Sequence, residues 1–264
     1  FSIALREFES ERDQYVSSVL SLTSLVAIGL VFLYALAPSF WNRMTGLPTH
    51  LMILLLVGLL VAPARDFWLS RQRFEYRYKL SGAVTIVSAV AASGLAVAAV
   101  LYANSIDFSD IASVRLFANY SIVYGVAAVI WLSIFLKGKC FYSSKYWKFS
   151  LQLSLPLIGY SIASQILSVS DRLMISKMVG NSAVGVYSTL YTVSSLSLMV
   201  WTAINASFEP YLYQNMENLK SKIRKLSMTM LGMYSLVAIL LVYLAPEIVR
   251  ILATAEYYLS LIHI

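Results

Sequence analysis

Charge is what this sequence has least of. Only 12% of its 264 residues are Asp, Glu, Lys or Arg, while 59% are hydrophobic. A soluble domain carries about 25% charged residues, so there is too little polar surface here to cover a water-soluble globule of this size. A single cysteine, Cys140, excludes an intrachain disulfide and a cysteine metal cluster. The two histidines, His50 and His263, stand far apart in sequence, and no metal site is expected. There is no phosphate-binding Gly-rich loop and no nucleophile–base–acid set. The chain is therefore expected neither to hydrolyse nucleotide nor to be an enzyme, and no cofactor is expected. It opens on Phe1 inside a charged amphipathic stretch with nothing like a signal peptide before it, and reads as an internal fragment.

What is abundant is apolar sequence in runs of spanning length. Such runs fall at roughly 17–38, 50–69, 80–102, 117–137, 151–177, 183–206 and 226–246, each near the ~20 residues that cross a bilayer as a helix. Inside lipid every backbone polar group needs an internal partner, which leaves helices or a closed barrel. Barrel strands are about 10 residues long and alternate apolar with polar. These runs are longer and apolar on both faces, so the expected fold is all-α, a polytopic transmembrane bundle of about seven spans. The third run is rich in small residues, among them Gly82, Ala91, Ala92, Gly94 and Ala98, as close helix packing requires.

The formal net charge is +7, and its distribution sets the orientation. Alternate gaps hold Arg6 and Arg12; Arg65, Arg71, Arg73, Arg77 and Lys79; Lys137, Lys139, Lys145 and Lys148; and Lys220, Lys222, Arg224 and Lys225. The intervening gaps hold only Arg43, Arg115, Arg172, Lys177 and Arg250. The rich side is expected in the cytoplasm, residue 1 with it. Aromatic residues at the span ends (Phe67, Trp68, Phe74, Tyr76 and Tyr78; Tyr142, Tyr146 and Trp147) read as an interfacial belt. The basic and aromatic stretch 71–79 is read the same way, in preference to a nucleic-acid patch, and no nucleic acid is expected as a partner. Over 211–226, Leu212, Met216, Leu219, Ile223 and Leu226 recur at helical spacing with Lys220, Lys222, Arg224 and Lys225 between them. This predicts an amphipathic helix on the inner surface, first a connector and secondarily a contact for anionic lipid headgroups.

The informative residues are polar ones inside the spans. At about 100° per residue, Ser154, Ser161, Ser164, Gln165, Ser168, Asp171 and Arg172 share one face of the fifth span. Ser188, Tyr191, Ser195, Thr202, Asn205 and Glu209 share one face of the sixth. Polar stripes avoid lipid. Interhelical hydrogen bonding, worth about 0.6 kcal/mol per contact, explains any single serine. Two full-length stripes favour a common hydrated cavity. Asp171 and Arg172 fall in the outer third of their span, as a pair at a cavity mouth or as an interfacial salt bridge. Arg65 is a positive-inside anchor first and a phosphate contact second; its fork suits phosphate oxygens. Pro63 and Pro156 are expected to bend or end their helices.

The run LPLIGYSIASQILSVSDRLMISKMVGNSAVG from Leu155 to Gly185, followed by VYSTLYTVSSLSLMVWTAINASFEPYLY, resembles the seventh and eighth helices of the polysaccharide exporters of O-antigen flippase type. These belong to the multidrug/oligosaccharidyl-lipid/polysaccharide flippase superfamily. The matching positions are Pro156, Asp171, Arg172, Gly180, Gly185, Tyr187, Ser188 and Pro210, while ALREFESERDQYVSSVL and RQRFEYRYK resemble cytoplasmic loops of the same proteins. The resemblance implies two helical lobes around a central cavity. On that plan the chain holds helices three to nine, with 1–148 a partial N-terminal lobe of four helices and 149–264 a partial C-terminal lobe of three. It implies transport of an undecaprenyl-diphosphate-linked oligosaccharide to the periplasmic leaflet by alternating access. The implied substrate-binding set is Arg65, Ser161, Gln165, Ser168, Asp171, Arg172, Tyr191, Asn205 and Glu209. Asp171 and Glu209 are the candidate sites for a coupling ion. Membrane lipids and other polysaccharide-assembly membrane proteins are the expected partners. The competing readings are a drug or cation exporter of the same superfamily, a membrane-embedded polymerase or glycosyltransferase, and a scaffold in which the stripes only pack.

Overall fold

The computed structural model describes residues 1–214 and 219–252. Every regular element among them is helical. In order these are α1 (Ser2–Glu7), a 3₁₀ turn (Glu9–Glu11), α2 (Arg12–Leu36), α3 (Pro38–Thr45), α4 (Thr49–Phe74), α5 (Tyr78–Ser105), α6 (Ile111–Gly138), α7 (Ser144–Met178), α8 (Asn181–Gln214) and α9 (Leu219–Leu252). Six stretches are long and apolar enough to cross a membrane: Glu9–Leu36, Thr49–Phe74, Tyr78–Ser105, Ile111–Gly138, Ser144–Met178 and Arg224–Ala245. They cover six of the seven predicted spans. The remaining run, 183–206, lies within α8, a helix of 34 residues. The chain is a multi-pass, all-α membrane protein. It divides into two compact units, Phe1–Gln152 and Leu153–Ile264.

In the first unit α6 packs against α2, α4 and α5, and α2 against α4. Small residues make the crossings close. A Cβ on Gly138, the last residue of α6, would lie 2.3 Å from the carbonyl oxygen of Asp13 and 2.3 Å from Ser17 Cβ. On α4, Gly58 sits under the hydroxyl of Tyr124, which a Cβ would meet at 2.2 Å. Ser17 and Ser18 of α2 are fully buried. The seams also carry hydrogen bonds. Trp131 Nε1 donates to Ser24 Oγ at 3.1 Å, Trp147 Nε1 donates to the carbonyl of Ser18 at 2.9 Å, and the Tyr15 and Ser150 hydroxyls are 2.8 Å apart. Lipid tails give helices no hydrophobic reason to associate, so close packing and such bonds supply the cohesion.

Most basic residues of this unit gather at one end. Arg71, near the end of α4, bonds Asp13 at the start of α2 and reaches Glu75 at 2.8 Å. Lys145 Nζ and the Tyr146 hydroxyl, at the start of α7, donate to Glu11 at 3.3 and 2.7 Å. The Arg12 guanidinium lies 5.1 Å from the Phe74 ring centroid. At the opposite end, Nε2 of His50 on α4 is 3.0 Å from Ser113 Oγ on α6. Successive helices thus alternate in direction, as the alternating basic gaps require.

Two expectations need correction. The aromatic belt is partly internal: Phe74 and Tyr146 are buried, Phe67 stacks on Phe1 at 4.9 Å, and Phe8 meets Tyr15, Tyr146 and Phe149 at 5.0–5.2 Å. The amphipathic N-terminus covers these rings, so α7 begins at Ser144, ahead of its apolar run. Of the two outcomes expected at Pro63 and Pro156, ending does not occur: each lies inside its helix, as does Pro210 in α8. The basic stretch from Leu219 onward is not a separate surface helix but the first turns of α9. Residues 215–218 with Met216, and His263, lie outside the described residues.

Asp110 caps α6, its side chain accepting from the Ser113 amide at 3.1 Å. The hydrogen bonds from Ser113 hold its carboxyl below the ordinary carboxylate range. The cap's contribution is therefore complete above the ordinary carboxylate pKa of about 4 and is lost as pH falls through the lower folded value. Hydrogen exchange over the first turn of α6 should be faster in Asp110→Ala than in the parent at pH 6. The difference should shrink as the pH is taken down through the acidic range below about 4. A difference that persisted there would show that the carboxylate is not the cap.

Candidate functional site

In the second unit α7 and α8 are joined by Val179 and Gly180 alone. The Ile175 carbonyl accepts from both amides, at 2.9 and 3.0 Å, and Gly180 takes φ 117°, open only to glycine. The two helices are thereby made a hairpin, and the residues flanking the turn are brought together in pairs.

Adjacent residues on a helix do not face each other, so Asp171 and Arg172 leave α7 about 100° apart. Each finds a different partner on α8. Asp171 Oδ2 accepts a hydrogen bond from the Tyr187 hydroxyl at 2.5 Å. The Arg172 guanidinium lies 4.5 Å from the centroid of the Tyr191 ring. The two tyrosines are one turn apart, with ring centroids separated by 6.1 Å. Among the described residues no ion pair joins Asp171 to Arg172, and Arg172 Nε is buried without a hydrogen-bond acceptor. The expected charge pair is split. The carboxylate is held by a phenol, and the cation rests on a π face that accepts its charge but leaves its in-plane donors free.

Of the sequence-predicted set, the structure brings together Asp171, Arg172 and Tyr191. Ser161 and Gln165 are exposed on α7, Asn205 is half-buried on α8 and Glu209 is exposed near its end. The stripe hydroxyls turn back on their own helices. Ser168 donates to the Gln165 carbonyl at 2.9 Å, Ser195 to that of Thr192 at 2.7 Å and Thr202 to that of Leu198 at 2.7 Å. Arg65 belongs to the first unit, on α4 below its basic end, and its Nε is buried without a partner. Tyr187 carried no site role in the sequence. The signal for it was its i, i+4 spacing to Tyr191 close after Gly180.

A recess of about 130 Å³ at the basic end of the first unit is lined by Asp13, Trp68, Arg71, Gln72, Glu75 and Lys137. Its ions tie α2 to α4. His50, Ser113 and Asp110 meet at the other end, but Ser113 Oγ at 3.0 Å and Asp110 Oδ2 at 3.8 Å both approach the same ring nitrogen, Nε2. A hydrolytic triad needs the acid on the other nitrogen, so this geometry is a helix-end contact. Among the described residues no group of three or more His, Cys, Asp or Glu side chains could hold a metal ion.

These features define a multi-pass helical membrane protein with a polar hairpin in which, among the described residues, Asp171 bonds Tyr187 and Arg172 rests on Tyr191. The polysaccharide biosynthesis protein family matches residues 2–216. That is most of the chain, which belongs to this family. No curated protein and no solved structure matches it. Its role lies in polysaccharide biosynthesis or export.

Proposed function

We propose that the chain is part of a flippase that moves an oligosaccharide linked to a prenyl diphosphate, of the undecaprenyl type, from the cytoplasmic to the periplasmic leaflet by alternating access. The observation that carries this reading is the split pair: among the described residues Arg172 makes no ion pair with Asp171, and its Nε is buried without an acceptor in a membrane-spanning helix. A cation held there without an ion-pair partner is costly unless an anion visits it. A diphosphate is an anion whose oxygens fit the guanidinium fork. The family membership supplies the context of polysaccharide assembly. The Lys- and Arg-rich end of the first unit marks the cytoplasmic side, where Arg65 meets an entering phosphate. Transport needs no bond to be made or broken, in keeping with a site built only of binding groups.

The test replaces Arg172, Asp171 and Arg65 singly with alanine in the full-length protein, in cells lacking their own flippase. Outer-leaflet accessibility of the lipid-linked oligosaccharide is then measured at matched protein levels. Transport should fall at least about tenfold in Arg172→Ala, the scale of losing one charged hydrogen-bonding group. Parental transport in all three variants would make these charges interfacial anchors and remove the mechanism.

A further inference from the structure

We propose that Tyr187 is the positioning residue of this hairpin: by donating its hydroxyl to Asp171 it keeps that carboxylate off the neighbouring guanidinium and leaves Arg172 free to take the phosphate of a lipid-linked substrate. The inference rests on the reading of Arg172 as an anion site given above.

An ionised carboxylate only accepts hydrogen bonds, and in a membrane-embedded helix one left without a donor is costly. Beyond its own backbone amide, Asp171 has two side-chain donors within reach. One is the guanidinium next to it in the chain. The other is the hydroxyl of Tyr187, which it takes at 2.5 Å. The choice decides what Arg172 can do. A carboxylate on Arg172 would occupy two of its five donors in a bidentate bond and cancel its charge. Tyr191 holds the cation 4.5 Å from its ring but takes none of the in-plane donors, so it fixes the guanidinium without closing it. Tyr187 and Tyr191 act as a pair one turn apart on α8. One withdraws the competing anion, the other aims the cation, and both depend on the tight turn at Gly180.

Tyr187→Phe keeps the ring and its packing against Tyr191 and removes only the hydroxyl. Asp171 then has Arg172 as its one nearby side-chain donor and closes the site. If that is the mechanism, Asp171→Asn in the same chain reopens it, since an amide cannot neutralise Arg172. The experiment uses purified full-length protein in lipid nanodiscs, with farnesyl diphosphate as a sugar-free probe, and measures its Kd for four proteins. Arg172→Ala and Tyr187→Phe are each expected to weaken binding about tenfold. The double variant Tyr187→Phe/Asp171→Asn is expected to return to within about twofold of the parent. Thermal unfolding of each variant reports on the fold separately. Parental binding in Tyr187→Phe overturns the positioning role. Weak binding that Asp171→Asn does not restore also overturns it, since the hydroxyl then serves the fold. No binding by the parent, or parental binding in Arg172→Ala, removes the anion site itself and so the reading beneath this one.

Discussion

Gly138→Val is expected to lower the thermal stability of the protein more than any other glycine substitution in the first unit. The reason is the nature of the neighbour. A Cβ at this position would stand 2.3 Å from the backbone carbonyl of Asp13 and equally close to Ser17 Cβ, and neither can rotate away. Tyr124, which crowds Gly58, can yield by moving its ring. Forcing α6 off α2 also strains the bond between Asp13 and Arg71 and loosens the tie from α2 to α4. Overpacking of this kind costs about 1–3 kcal/mol, and contact with backbone places it at the upper end. Gly125 on the same helix is the control, because nothing lies within 4 Å of a Cβ there. Unfolding in detergent should begin well below the parent's temperature for Gly138→Val and close to it for Gly125→Val. Equal curves would mean that α2 and α6 do not meet as described.

Gly180→Val is expected to damage transport more than stability. Nothing crowds this position either, so the effect is purely one of backbone. A φ of 117° is closed to valine, and enforcing it costs about 1–3 kcal/mol. The chain avoids that cost by reversing direction differently, which shifts α8 relative to α7. The 2.5 Å contact of Tyr187 with Asp171 tolerates little displacement, so the split pair is lost before the helices are. Outer-leaflet accessibility should fall by an order of magnitude or more, while the unfolding temperature moves by a few degrees. Gly159→Val, within α7 and equally uncrowded, should leave transport near the parent's. Transport by Gly180→Val at the parental rate would separate the turn from the site.

The helices were legible because lipid imposes a length. A run such as 80–102, apolar throughout, has one common fate, and α5 takes it. The alternation of basic gaps was legible for the same reason, and the meeting of Arg71 with Asp13 and of Lys145 with Glu11 at one end of the first unit follows it. What misled was chemistry that suits two settings. Tyr146 and Phe74 are amphipathic or aromatic residues at span ends, which describes a belt, yet α1 and α2 bury both. The basic residues from Lys220 to Lys225 look like a surface helix by periodicity, but periodicity does not say where a helix stops, and α9 runs through them. In the candidate site, Asp171 and Arg172 were conspicuous as charges in an apolar run. Their partners were not, because spacing along α8 gives the relation of Tyr187 to Tyr191 but not the face that α7 meets. That face is fixed by a two-residue turn.

The inward-bonded hydroxyls of α7 and α8 bear on friction. Ser168, Thr192, Ser195, Ser197, Thr202 and Ser207 each donate to a carbonyl of their own helix. Their hydrogens are already committed, and only oxygen lone pairs face outward. Such a surface loses no donor bond when water drains from it and gains none when water returns, so wetting and drying leave it nearly unchanged. On the proposed function, a sugar sliding past would lend its own hydrogens to one oxygen after another without prying any serine from its place. These hydroxyls are smooth in this sense, and the grip would fall to charged groups such as the guanidinium near the turn.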